Sequence, residues 1–197
     1  APVFVSAEHA KAHLGHIGEH TLASSQRQAL TCVVESNVGD IVAVNGPPGT
    51  GKTTLVQSIL ASGVVKAALA GETPFTMLAC STNNQAVTNL IDSLTKAATP
   101  IPDDILSERW IPEASSLGLY FASSDARKRN DNGKYLFAGV PAYSFPDQIE
   151  NSEFVESAKQ VFLEKAKLYF GNDTLDFEQV GQNLHAQLKN LNQSFEA

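Results

Sequence analysis

Residues 46–53 read Gly46-Pro47-Pro48-Gly49-Thr50-Gly51-Lys52-Thr53, and this octapeptide restricts the possible folds of the chain more than any other part of it. It fits G-x-x-x-x-G-K-[ST]. In that pattern glycines let successive backbone N–H groups close around phosphate oxygens, the lysine reaches the β and γ oxygens, and the hydroxyl ligates Mg²⁺. The chemistry holds only where the loop joins a strand to a helix. Both flanks meet that condition. Ile41-Val42-Ala43-Val44 predicts a buried strand running into the loop, and Thr53-Thr54-Leu55-Val56-Gln57-Ser58-Ile59-Leu60 predicts a helix leaving it, whose amino terminus adds its positive end to the cradle. The expected ligands are a nucleoside triphosphate, ATP first among them, and Mg²⁺. Gly46, Pro47, Pro48, Gly49, Thr50, Gly51, Lys52, Thr53 and Thr54 are expected to hold the nucleotide, with Lys52 and Thr53 in the catalytic role and Thr53 as the Mg²⁺ ligand.

Two further segments bracket the loop. Leu22-Ala23-Ser24-Ser25-Gln26-Arg27-Gln28-Ala29-Leu30 predicts a short helix capped by Ser24 or Ser25, with Gln26 twenty positions before Gly46. A primary amide complements the N6 and N7 edge of adenine, although a single helical glutamine is more often a surface residue. After the loop helix, Gly71-Glu72-Thr73-Pro74 makes a break, and Phe75-Thr76-Met77-Leu78-Ala79-Cys80 predicts a second buried strand. Ser81-Thr82-Asn83-Asn84 follows at its carboxyl end, where open α/β sheets bind their ligands. These residues suit a sugar–phosphate backbone, and equally a plain N-cap cluster for a helix from about Gln85 with Ala86, Leu90, Ile91 and Leu94 inward.

Together the three segments resemble the superfamily 1 helicases of the type that includes the nonsense-mediated-decay helicase. The counterparts are Leu22 to Leu30, Gly46 to Thr53, and Cys80-Ser81-Thr82-Asn83-Asn84-Gln85-Ala86-Val87-Thr88-Asn89-Leu90. The chain departs from that pattern at Ala23, Thr82, Asn83 and Thr88. The resemblance implies an α/β fold, a partial RecA-like parallel sheet flanked by helices. It also implies that Gln26 reads the adenine, that Lys52 and Thr53 handle triphosphate and Mg²⁺, and that Ser81, Thr82, Asn83 and Asn84 touch single-stranded DNA or RNA. A protein-remodelling ATPase of the AAA+ type shares the loop but predicts neither the glutamine before it nor Asn-x-Ala-Val after it. A third reading is a nucleotide-gated interaction module that binds ATP without turnover.

An ATPase of this kind also needs an apolar strand ending in Asp-Glu and an arginine finger. The nearest candidate, Leu117-Gly118-Leu119-Tyr120-Phe121 leading towards Asp125, has no glutamate after the aspartate and predicts an ordinary strand followed by a loop. The chain is therefore expected to be a fragment that binds ATP but does not hydrolyse it alone.

The expected organisation is a partial RecA-like domain over 1–98, an irregular linker or insertion over 99–145, and a helical hairpin over 146–197. Pro100, Pro102, Pro112 and Asp103-Asp104 mark the linker. In the hairpin, Val155, Ala158, Phe162, Ala166 and Tyr169 recur at helical spacing, as do Phe177, Val180, Leu184, Leu188, Leu191 and Phe195, with Gly171-Asn172-Asp173 between them. From Asp147 onward nine acidic and four basic residues carry most of the chain's net charge of -7. The phosphate backbone repels such a surface, so the hairpin is expected to pack internally or meet a protein partner. Arg127-Lys128-Arg129 and Lys134, beside Trp110, Tyr120, Phe121 and Tyr135, form the sole basic cluster, which either grips a single strand by charge and stacking or is a solvated loop around Asn130-Asp131-Asn132-Gly133.

With 14 Lys+Arg against 21 Asp+Glu the chain is not a free-standing basic nucleic-acid clamp. Cys32 and Cys80 form no CxxC, no apolar run approaches a bilayer's thickness, and no basic-then-apolar leader opens the chain. A reduced, cytoplasmic setting without a membrane is expected. His9, His13, His16 and His20 would share one helical face; either they bind a metal or, given Gly15, Gly18 and the lack of a nearby cysteine, they serve packing or the surface.

Overall fold

The structure, a computed structural model, describes residues 15, 21–95, 101, 103–114, 118–121, 134–138 and 144–196. Among them the helices are α1 (Ser24–Val34), α2 (Lys52–Ala70), α3 (Asn84–Thr95), α4 (Phe145–Ile149), α5 (Ser152–Phe170) and α6 (Phe177–Glu196), with a 3-10 turn at Ile105–Ser107. Strands β1 (Leu119–Tyr120) and β2 (Leu136–Phe137) pair in parallel, Leu119 opposite Leu136 and Tyr120 opposite Phe137. A mixed, mainly helical chain with a small two-stranded parallel sheet is compatible with part of a RecA-like phosphate-loop domain. It divides into two compact units, Ala1–Leu78 with Gln182–Ala197, and Ala79–Gly181.

In the first unit, α1 docks on the start of α2. Leu22, Leu30 and Leu55 are buried together, and Ala29, Val34 and Ile59 pack around them. Burying each leucine contributes about 1.5–3 kcal/mol, enough to fix the register of the two helices. Ser24 and Ser25 were the expected caps of α1. The N-cap is instead Ala23, whose N–H is taken by Gln26 Oε1 at 2.8 Å, while both serines lie inside the first turn. A methyl group cannot return the bond, so only half of a capping box forms.

Helix α2 runs well beyond the eight residues expected of it and stops at Gly71, whose φ of 68° supplies the left-handed C-cap. It is long and apolar enough, by length and composition, to cross a bilayer. Its buried positions are Leu55, Ser58 and Ser62, and the rest of it is half-buried or exposed. Ser62 Oγ donates to Gly15 O at 3.3 Å, and a Cβ on Gly15 would overlap the backbone of Ala61 and Ser62. In its last turn, where carbonyls lack helical partners, Leu69 O lies 3.1 Å from His185 Nε2 of α6.

Neither predicted buried strand forms. Residues 41–44 and 75–80 have no ladder partner among the described residues, and Ile41 is 94% and Leu78 79% exposed. An apolar run records a preference for burial, but a strand needs a neighbour to take its N–H and C=O groups.

In the second unit, Ile91, Tyr120 and Phe137 form a buried cluster, with Val87 and Tyr135 against it. Helix α3 therefore docks through the row Val87 and Ile91. Of the expected inner face, Ile91 is buried, Leu90 and Leu94 are half-buried, and Ala86 is exposed. Leu117 to Phe121 was expected to hold a strand, and β1 lies there. The stripe on α5 meets the segment before β1: the Trp110 ring sits 5.7 Å from Phe162 and 5.8 Å from Tyr169, and Lys165 pairs with Glu108. Asn151 Oδ1 caps α5 by accepting from Phe154 N at 2.8 Å, and Gly171 with φ 62° ends it where the sequence predicts a break. Asp176 and Gln179 cap α6 reciprocally, each side chain accepting from the other's backbone N–H.

Candidate nucleotide-binding site

The loop of residues 46–53 carries the conformation its glycines permit. Gly49 and Gly51 adopt φ of 83° and 75°, a region that costs a side chain about 1–2 kcal/mol. Gly46 is needed for space rather than for φ, because a Cβ there would lie 2.7 Å from Thr50 Oγ1. Thr50 Oγ1 in turn donates to Pro47 O at 2.8 Å, which ties the first half of the loop to the second. Gly51 is the N-cap of α2, so Lys52 and Thr53 open the helix with their N–H groups free of helical partners.

Lys52 crosses the loop. Its Nζ donates to Gly46 O at 2.6 Å and to Pro47 O at 2.8 Å, and the side chain is exposed. Two neutral carbonyls are weak competitors for an ammonium, and a phosphate brought to the loop offers it charged acceptors instead. Thr53 is exposed at the same helix end, and Thr54 beside it is half-buried.

A cavity of about 450 Å³ opens onto the loop. That volume falls in the usual range for a small-ligand site. One wall is the loop itself. The other is a face of α1 made by Ser25, Gln28, Ala29 and Cys32, with Gln26 between wall and loop. These α1 residues had no expected place in the site, although their spacing of three, four and seven positions marks one helical face. Val42, Ala43, Val44 and Asn45 also line the cavity, so the segment expected to be a buried strand borders the site. Among the described residues no aspartate or glutamate lines it.

Gln26 is half-buried and fully engaged. Its Nε2 donates to Thr50 O and to Gly51 O, each at 3.1 Å, while Oε1 accepts from Ala23 N. The packing of Leu30 on Leu55 explains its reach, since Gln26 stands one helical turn before Leu30 and faces the residues just before α2.

The four candidate nucleic-acid residues are exposed at the start of α3 and divide into two kinds. Ser81 Oγ accepts from Asn83 N at 3.1 Å, and Asn83 Oδ1 accepts from Gln85 N at 2.9 Å. Asn83 thus caps the helix, and Ser81 closes the turn before it. Thr82 and Asn84 lie exposed between and after them. The cluster of basic and aromatic residues is partly dismantled: Trp110 packs on α5, Tyr120 is 4% exposed, and Lys134 Nζ is bonded to Asp92 Oδ2 at 2.7 Å. Hydrogen bonding to Asp92, then to Tyr135, raises the Lys134 pKa. Arg127, Lys128 and Arg129, and likewise His9, His13, His16 and His20, lie outside the described residues. Among the described residues no three His, Cys, Asp or Glu side chains gather as a metal site. Cys32 and Cys80 are exposed free thiols.

Residues 21–107 match the family model of an AAA domain. This AAA domain is found in superfamily 1 helicases. The match covers less than half of the chain, and its bounds enclose Gln26, the loop and the α3 cap alike. No curated protein matches the chain, and no solved structure does.

Proposed function

We propose that this chain is the ATP-binding part of a nucleic-acid-dependent ATPase of the helicase type, which moves along single-stranded DNA or RNA. The observation that carries the reading is the loop: Gly49 and Gly51 in left-handed conformation, Lys52 spanning the loop's mouth, and a cavity beside it bounded by α1. In this reading the phosphates displace the Gly46 and Pro47 carbonyls from Lys52 and take the free N–H groups at the start of α2. Thr53 would hold Mg²⁺, which would neutralise phosphate charge when bound. Among the described residues the wall of the site holds no carboxylate to orient an attacking water, and in this reading ATP bound to this chain alone persists. The AAA+ remodelling alternative gives no reason for an amide of α1 to meet the loop.

The test is a calorimetric titration of ATP and GTP with Mg²⁺, followed by a phosphate-release assay with and without a single-stranded oligonucleotide. Micromolar ATP binding with negligible release supports the reading. Absence of any nucleotide binding would refute it.

A further inference from the structure

We propose that Gln26 is a positioning residue for the phosphate cradle, setting the affinity for the triphosphate itself rather than the choice of base. The inference rests on the nucleotide-binding reading above and deepens it.

The argument begins with the amide's capacity. A glutamine has two N–H donors and one carbonyl oxygen. Both donors are committed, to Thr50 O and Gly51 O at 3.1 Å each, and the oxygen holds Ala23 N at 2.8 Å. Donation to adenine N7 would require the amide to release one of the loop carbonyls.

What the two carbonyls do is fixed by peptide geometry. In a trans peptide the C=O and the following N–H point in opposite directions. The carbonyl of Thr50 belongs to the same peptide unit as the N–H of Gly51, and the carbonyl of Gly51 to that of Lys52. By drawing both oxygens towards α1, Gln26 turns the Gly51 and Lys52 N–H groups the other way, out of the loop at the helix end where an anion binds. Gly51 O is held a second time by Leu55 N at 3.0 Å, the first helical bond of α2. Thr50 O has Gln26 as its partner on this side. The amide thus pre-orients two donors of the cradle from outside, without touching the phosphate. A side chain on Gly51 would collide with the Gln26 Nε2, so the close approach of brace and loop is built into the glycine as well.

Gln26→Glu isolates the effect. It keeps an oxygen for Ala23 N and favours the first turn of α1, but sets an acceptor against two carbonyls. Gln26→Ala removes both halves. The experiment titrates ATP, GTP and inorganic tripolyphosphate, each with Mg²⁺, into the wild-type chain and both variants, with thermal melting alongside. Removing two hydrogen bonds is expected to weaken all three ligands by roughly tenfold. The ratio of ATP to GTP affinity stays as in the wild type, and both variants are titrated well below their melting temperatures, which fall with the lost hydrogen bonds. Loss confined to ATP, with tripolyphosphate unchanged, would show that the amide reads the base and overturn the proposal. Lowered melting with all three affinities unchanged would also overturn it, since Gln26 would then only hold the fold. A wild-type chain that binds none of the three ligands refutes the nucleotide-binding reading, and the brace with it, a result distinct from either.

Discussion

At the scale of single residues, the loop was legible because its requirements are local. Positive φ at Gly49 and Gly51 and the close approach at Gly46 each demand a glycine where the sequence has one. Two substitutions separate these demands. Gly49→Ala meets nothing within 4 Å and is expected to cost only the left-handed strain, about 1–2 kcal/mol. Gly51→Ala adds a collision with Gln26 and is expected to cost more and to weaken tripolyphosphate binding too; urea unfolding and calorimetry read the two effects. Lys52→Ala should do the reverse. The side chain is exposed, so stability stays within about 0.5 kcal/mol. Triphosphate affinity falls by roughly ten- to a hundredfold with the loss of charge-assisted hydrogen bonds. Undiminished affinity in Lys52→Ala would exclude the loop as the binding site. The partners of Gln26 were not legible, because a side chain reaching carbonyls 24 and 25 residues away leaves no spacing for a sequence pattern to record.

Among the elements, helices were read more securely than strands, and the physical reason is that a helix satisfies its own backbone. The stripe on α5, its end at Gly171 and the separate helix α6 could be placed from periodicity and one glycine. Residues 41–44 and 75–80 carry the composition of strands, yet no pattern within them names a partner, and the parallel pair forms instead between Leu119–Tyr120 and Leu136–Phe137. The amino end of α3 shows the same ambiguity resolved in part. Ser81, Thr82, Asn83 and Asn84 suited either a cap or a nucleic-acid contact, and the hydrogen bonds assign Asn83 to the cap and Ser81 to the turn before it. Asn83→Ala is therefore expected to destabilise the fold by about 1 kcal/mol. Asn84→Ala should leave stability within about 0.5 kcal/mol. Any weakening of single-strand binding without loss of stability should thus appear in Asn84→Ala and be measurable by fluorescence anisotropy. Equal destabilisation by both substitutions would return Asn84 to a structural role.

For the molecule as a whole, the net charge of -7 and the buried tyrosine cluster together set its response to alkali. Tyr120 is buried against Tyr135 and Phe137, and among the described residues its hydroxyl has no hydrogen-bond partner. Burial, and then the neighbouring Tyr135, push its pKa above the ordinary tyrosine value. Lys134 holds its proton more tightly as well, through its bonds to Asp92 and Tyr135. Both groups therefore bind protons more strongly folded than unfolded, so unfolding releases protons in alkali and stability falls as pH rises. The contribution is complete below about pH 10, the unfolded value, and is lost as pH climbs through the higher folded values. Each proton lost adds to a charge already negative, so self-repulsion acts in the same direction. Tyr120→Phe tests the account. It removes an unpartnered hydroxyl without opening a cavity, so the chain gains about 1 kcal/mol at pH 7. It also deletes one of the two titrating groups, so the decline between pH 9 and pH 11 becomes shallower in urea unfolding. A decline of unchanged steepness would mean that Tyr120 ionises equally well folded and unfolded, and that its hydroxyl is solvated in the native state.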